Sequence, residues 1–359
     1  MLLISLFMLE GGLRGYFYLR NTFTDQKKEL STWFGWKTNP SISYQARIRG
    51  YGLITYSTTH HGFRVWGDEN SARKKFLVLG DSSTEAAQVS DGKTYYDMIK
   101  KHHDEVEIFA YGAGGYSSLQ EYMILDTYFD TIKPDLVIWQ FDGNDLINNN
   151  LNWESISKGN NNHMTRPYLI NGEIEHHYPY QSKGFFSRFL ESSYILRLLN
   201  VHIALFSKTK RERGEDSQAL TMANPLFAKS TQITRQILQK VKHRIGDTPL
   251  LAFSIYGGGI ESLYKQICQD LSFHFVSGVT DAVIAQKNQG LIVTGMEAGQ
   301  EIDSHFNDAG HAIVGGMLLE YMMRAGLLES HKQERSFDLN RPVLNRPVKR
   351  NMKNDLFDN

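Results

Sequence analysis

Cysteine, net charge and long apolar runs are the three things this 359-residue chain has little of. Its one cysteine, Cys268, excludes an intramolecular disulfide and any metal site built from several thiolates. Lysine plus arginine number 39, and aspartate plus glutamate also number 39. No global field therefore selects nucleic acid as a partner. A complete phosphate-binding Gly-x-x-x-x-Gly-Lys-Ser/Thr loop is missing, and Gly112-Ala-Gly-Gly-Tyr lacks the spacing of a dinucleotide loop. The adjacent pairs His60-His61, His102-His103 and His176-His177 lack the i, i+4 spacing around a glutamate that a helical zinc site needs, and read as solvated or loop histidines. No metal and no organic cofactor is expected.

The longest apolar opening, Met1–Leu9, stops at Glu10, well short of the roughly 20 residues of a spanning helix. The aromatic and arginine residues in Gly11–Arg20 suit a membrane interface, and no cleavable leader pattern is evident. Residues 1–22 are therefore expected to act as a membrane anchor with the catalytic part outside the cytoplasm. The competing reading is an ordinary amphipathic helix in a cytoplasmic protein. Residues 23–70 read as a lead-in of strands and loops. The tail 331–359 is polar, repeats Asn-Arg-Pro-Val at Asn340 and Asn345, and is expected to be disordered.

What is present begins at residue 71, where strand and helix signals alternate. Strands are expected at Phe76–Leu79, Val106–Ala110, Leu136–Phe141, Pro249–Ser254 and near Gly290–Val293. Helices are expected near Thr94–Lys101, Leu119–Phe129, Ser230–Arg244, Glu261–Leu271 and Ala309–Ala325. This rhythm predicts an α/β domain over residues 71–330, with a central parallel sheet between two helical layers. Residues 146–224 interrupt it with Asn-rich loops, an apolar stretch at Phe186–Phe206 and a charge run at Lys208–Asp216, and read as an insertion or lid.

Four segments each follow a strand or precede the last helix, which would gather them at one edge of the sheet. Gly80-Asp81-Ser82 delivers a serine to a strand end, where its residues could equally cap a helix. Gly112–Gly115 lets backbone approach a ligand closely. Asp142-Gly143-Asn144-Asp145 offers a neutral amide donor, although such a sequence is often only a turn. Asp303-Ser304-His305 supplies a base and, from the same loop, a carboxylate to orient it. His311 lies inside the helix start and reads as structural.

In this order the four segments resemble the SGNH, or GDSL, hydrolase family over roughly residues 60–325. His61-Gly-Phe-Arg64 also resembles a segment that precedes the first block in membrane-associated bacterial members. The resemblance implies a flavodoxin-like α/β/α sandwich, here with an insertion and an N-terminal extension. It implies a Ser82–His305–Asp303 triad and an oxyanion hole from the Ser82 and Gly115 N–H groups and the Asn144 side chain. It further implies a small-molecule or glycan acyl ester as substrate. Three positions depart from the family pattern. Ala110 stands where the second block often has asparagine, Asp142 where the third often has glycine, and Ile302 where the last commonly has aspartate. Glu301 and Asp308 are therefore substitutes for Asp303. The expected activity is ester hydrolysis through an acyl-enzyme. The alternatives are acyl transfer to a cell-surface glycan, and a catalytically silent glycan-binding protein.

Overall fold

The computed structural model describes residues 5, 8–15, 28–157, 164–179 and 224–328. Most of the expected anchor, the apolar stretch at 186–206, the charge run at 208–216 and the tail at 331–359 lie outside the described residues. Among the described residues, no helix is long and apolar enough to cross a membrane.

Fourteen strands are described: β1 (Lys28–Ser31), β2 (Gly35–Thr38), β3 (Ser43–Ile48), β4 (Gly52–Ser57), β5 (Val65–Trp66), β6 (Lys74–Gly80), β7 (Val106–Gly112), β8 (Leu136–Phe141), β9 (Arg166–Ile170), β10 (Glu173–His177), β11 (Leu250–Ser254), β12 (His274–Val276), β13 (Thr294–Glu297) and β14 (Gln300–Phe306). The central sheet has the order β12-β11-β8-β6-β7-β5. Its first five strands run parallel, while the two-residue β5 pairs antiparallel to β7 at the edge. Numbered along the chain, the parallel strands stand in the flavodoxin-like order 2-1-3-4-5.

These strands are continuous apolar runs because both faces are covered. Alternate residues feed two separate cores. Leu77, Leu79, Phe109, Val137, Trp139 and Ala252 point one way. Phe76, Val78, Ile108, Ile138, Leu251 and Phe253 point the other. The first face is covered by α3 (Ser118–Ile132), α6 (Pro225–Ile245) and α7 (Gly258–Asp270). The second is covered by α2 (Tyr95–His102), α8 (Val279–Asn288) and α9 (Asp308–Arg324). The short helices α1 (Ser82–Glu85), α4 (Asn144–Asn148) and α5 (Leu151–Ile156) follow strand ends or begin the insertion. The chain is thus a three-layer α/β/α sandwich.

Two elements differ from the sequence expectation. The fifth parallel strand is β12, His274–Val276, and not Gly290–Val293, which has no regular structure. β12 has only three residues, too few to announce a period. The expected loop carrying Asp303 and His305 is instead the second strand of a ribbon, β13–β14. Ala298 (φ 49°) and Gly299 (φ 81°) join its strands, the positive backbone angles that a two-residue hairpin turn requires. Gly92-Lys93-Thr94 has a Gly-Lys-Thr ending, but Ala87 stands where a phosphate loop has its first glycine. Thr94 caps α2 instead, in a reciprocal capping box with Asp97.

The lead-in is bound to the sandwich. In the insertion, Arg166 pairs with Glu154 at 3.1 Å, both of them buried, and lies over the Trp36 ring at 4.9 Å.

Candidate active site

Ser82 opens α1 directly after the last residues of β6. Asp81 is the N-cap, and its Oδ1 accepts the Ser83 N–H at 3.0 Å. A Cβ on Gly80 would stand 2.2 Å from Thr84 Oγ1, and one on Gly112 would stand 2.1 Å from Glu85 N. Glycine at both positions lets α1 lie directly against the strand ends. A buried network then fixes the turn. Gln140 Oε1 accepts from Asp81 N (3.2 Å) and Thr84 Oγ1 (2.9 Å), and the Tyr96 hydroxyl donates to the Thr84 carbonyl at 3.1 Å. Arg64, from the His61-Gly-Phe-Arg64 segment, closes the far end. Its guanidinium donates to the carbonyls of Glu85 (2.5 Å), Ala86 (2.9 Å) and Val89 (3.3 Å), and to Asp91 Oδ1 at 2.8 Å.

Across the cavity, β14 presents Asp303 and His305 on one face, because side chains two apart in a strand point the same way. Asp303 Oδ1 accepts the His305 backbone N–H at 3.1 Å and lies 2.7 Å from Nδ1. His305 Nε2 is 2.9 Å from Ser82 Oγ. With Nδ1–H directed at the carboxylate, Nε2 is left to accept the serine proton. The hydrogen bond that His305 donates to Asp303 raises the His305 pKa above its ordinary value, against the pull of burial. Burial pushes Asp303 upward, but its bonds and attraction to His305 prevail and hold it below the usual carboxylate range. Glu301 and Asp308, the substitutes for Asp303, are engaged elsewhere. Glu301 binds Lys287 (2.7 Å) and Thr294 (2.6 Å), and Asp308 binds Lys93 (2.6 Å).

The lead-in supports this ribbon. Tyr51, in the turn between β3 and β4, donates its hydroxyl to the His305 carbonyl at 2.9 Å. The Met296 N–H donates to the Gly50 carbonyl at 3.1 Å, and Arg49 pairs with Glu297. Nothing local in the sequence announces Tyr51, which acts 254 residues from its partner.

Asn144 begins α4, and its Nδ2 donates to Asp81 Oδ2 at 3.1 Å, which ties the third segment to the first. Ser82, Asn144, Asp142 and His305 together line a cavity of about 540 Å3. One wall carries Ile255, Val283, Ile284 and Val293, and Lys287 and Glu301 lie at its margin. Gly115 lies in the turn after β7. It is buried with φ 78°, its carbonyl accepts Asn148 Nδ2 at 3.4 Å, and it is not among the residues lining the cavity. The neighbouring Gly114 N–H donates to Glu85 Oε2 at 2.5 Å. The second segment therefore meets the Ser82 turn through Glu85. His311 is buried, accepts the Tyr95 N–H on Nδ1 at 3.2 Å, and has its pKa pushed down to about 3 by burial, with Arg64 and His305 adding to the effect.

Below the cavity floor the fully buried Asp145 and Glu121 are both raised well above the usual carboxylate range, first by burial and then by the neighbouring carboxylates. Among the described residues no group of three or more histidine, cysteine, aspartate or glutamate side chains could hold a metal ion. Cys268 lies on the buried face of α7, with its thiol pushed up to about 12 by burial.

No family model and no curated protein matches the chain. It is similar to several solved structures. One is a member of the lipolytic protein G-D-S-L family from Veillonella parvula, at 10% identity over 70% of this chain and 99% of that one, with a TM-score of 0.39. Another is the lipase/acylhydrolase from Enterococcus faecalis, at 13% identity over 72% and 100%, with a TM-score of 0.39. A third is Axe2, an acetylxylan esterase from Geobacillus stearothermophilus, at 12% identity over 70% and 95%, with a TM-score of 0.36.

Proposed function

We propose that this protein is a serine esterase that hydrolyses O-acyl esters, acetyl esters of hydroxylated or sugar alcohols among them. The observation that carries this reading is the continuous chain Ser82 Oγ–His305 Nε2 (2.9 Å) and His305 Nδ1–Asp303 Oδ1 (2.7 Å) at the mouth of a cavity. A serine hydroxyl is a weak nucleophile until an adjacent base takes its proton, and this geometry supplies that base already oriented.

In this reading Ser82 Oγ attacks the ester carbonyl carbon while its proton passes to His305 Nε2. The carbonyl electron pair moves to oxygen, forming a tetrahedral oxyanion. The Asn144 amide and the Ser82 and Gly115 N–H groups are the donors assigned to it. Collapse of the intermediate expels the alkoxide, which takes the proton from His305. Water, deprotonated by His305, then cleaves the acyl-enzyme and returns Ser82 to its starting state. Residues 71–330 form the hydrolytic unit, 146–224 its insertion, and residues 1–22 tether it to a membrane.

Fluorophosphonate labelling of the purified protein, with the adduct mapped by peptide mass spectrometry, tests this directly. A label on Ser82 that is lost in His305→Ala is expected. An unlabelled Ser82 in folded protein would overturn the esterase reading and favour a binding protein that kept the scaffold.

A further inference from the structure

The cavity holds an acid that the acyl-enzyme chemistry does not use. Asp142 follows β8 and lines the same space as Ser82, Asn144 and His305. Its Oδ1 accepts the Asn144 backbone N–H at 3.2 Å, so the carboxyl sits on the turn that presents the Asn144 amide. The groups around it come from several elements. Asp81 approaches from the turn after β6, and His305 from β14. Asp145 Oδ2 accepts the Asp142 N–H at 3.1 Å, and the Tyr264 hydroxyl of α7 donates to the Asp142 carbonyl at 2.8 Å. Glu121 of α3 lies close enough to feel its charge, and Asp145 in turn feels Arg166 of β9. Lys287 of α8 lines the cavity but is paired with Glu301.

We propose that Asp142 must hold its proton for turnover, the neutral acid standing beside Asn144 where an ionised carboxylate would oppose the developing oxyanion. This rests on the Ser82 reading above. The two charges created during attack are affected unequally. The imidazolium on His305 already has Asp303 hydrogen-bonded at 2.7 Å, so a further carboxylate adds little to it. The oxyanion forms beside the Asn144 amide, on the turn that also carries the Asp142 carboxyl, so an ionised Asp142 would raise its energy. A protonated carboxyl can also donate a hydrogen bond to an oxyanion, as buried acids do in other active sites. Burial, with Asp81 adding to it, pushes Asp142 up to about 7, inside the range where the enzyme would work. The family resemblance puts glycine at this position, so the acid is a feature of this chain.

The test measures Ser82 labelling by fluorophosphonate, and p-nitrophenyl acetate hydrolysis read at the isosbestic wavelength, from pH 5.5 to 9. It compares the native protein, Asp142→Asn and Asp142→Ala, with thermal unfolding of each as the folding control. Native activity is expected to follow a bell, rising as His305 loses its proton and falling tenfold or more between pH 7 and 9. Asp142→Asn is expected to keep the acid limb and lose the alkaline one, ending at least tenfold above the native protein at pH 9. Asp142→Ala, which lacks the charge and the donor alike, should also lose the alkaline fall, with a lower plateau. Variants that track the native profile at every pH would overturn the proposal. So would folded variants that lose activity equally across the range. Absence of Ser82 labelling in the native protein at any pH would overturn the esterase reading, and this inference with it. Labelling that ignores residue 142 would overturn this inference alone.

Discussion

The two sides of the cavity are built on opposite principles. The Ser82 side grows out of the buried six-stranded sheet. Asp81 and Thr84 have no exposed surface, and Arg64, Gln140, Tyr95 and Tyr96 hold α1 from beneath. The histidine side rides on a two-stranded ribbon outside that sheet, with register irregularities between Thr294 and Met296. The side chains of His305 and Asp303 are 36% and 40% exposed there. Ser82 is therefore placed by the core, while His305 is placed by a few contacts: Asp303 beneath it, Tyr51 at its carbonyl and the Asn307 cap that starts α9. A serine needs a fixed direction of attack. A base must shuttle a proton between two oxygens, which tolerates a softer mount.

The largest effects should come from removing the reacting groups themselves. Ser82→Ala is expected to abolish ester turnover, a loss on the order of 10^5-fold or more, while Asp303→Asn should lose on the order of 10^3 to 10^4. Kinetics on a p-nitrophenyl ester would rank them. Equal losses would mean that the ribbon positions its base no less strictly than the core positions its serine.

Arg64 offers the sharpest way to break the buried side. Arg64→Ala takes a buried side-chain donor from three carbonyls and the guanidinium partner from Asp91, which keeps Ser57. A loss of about 3–5 kcal/mol in urea unfolding is expected. Labelling of Ser82 per folded molecule should slow as well. Arg64→Lys retains the charge but cannot reach three carbonyls from a planar fork, so it should recover only part of both. A destabilised variant that labels at the native rate would separate folding from positioning and remove Arg64 from the account of Ser82.

Much of the buried side was legible in the sequence because its signals are local. Continuous apolar runs such as Phe76–Leu79 and Leu136–Phe141 identify strands covered on both faces, and the strand order places their ends at one edge. The meeting of Ser82 and Asn144 through Asp81 follows from that geometry. The ribbon reads as a loop because Gln300–Phe306 has only Ile302 and Phe306 as apolar residues among charged and polar ones, and its pairing rests on the Ala298-Gly299 turn. Contacts across long sequence separations had no local mark at all: Arg64 to the end of α1, and Tyr51 to His305. Gly115 is assigned by resemblance, and the bond that joins its segment to α1, from Gly114 N–H to Glu85, has no local mark in the sequence either.

On the ribbon a smaller effect is expected. Tyr51→Phe removes the hydroxyl that bonds the His305 carbonyl and also helps hold Asp303, each such bond worth about 1 kcal/mol. Labelling of Ser82 should slow by roughly fivefold while urea unfolding hardly changes, since the ring remains packed against Gly295. A fall in global stability comparable with that of Arg64→Ala would show that the ribbon is as much a part of the core as α1 is.

The smallest effect concerns the acids beneath the nucleophile. Glu121 is fully buried, and neither carboxylate oxygen has a hydrogen-bond partner among the described residues. Its pKa is raised well above the ordinary value, first by burial and then by Asp145, Asp81 and Asp142. The folded state therefore keeps a proton that the unfolded state releases above about pH 4.3, so stability falls as pH rises from there toward the folded pKa. Asp145 acts in the same sense. His311 acts oppositely. With a folded pKa of about 3 it stays neutral where the unfolded histidine would gain a proton, so stability declines as pH falls from about 6.5 toward 3. Glu121→Gln is isosteric and uncharged at every pH. It should raise the melting temperature at pH 8 by a few degrees, leave it nearly unchanged at pH 4, and flatten the decline between them without abolishing it, because Asp145 remains. A variant with the native slope between pH 4 and 8 would mean that Glu121 ionises in the fold at no cost, and that the floor under Ser82 is wetter than its burial implies.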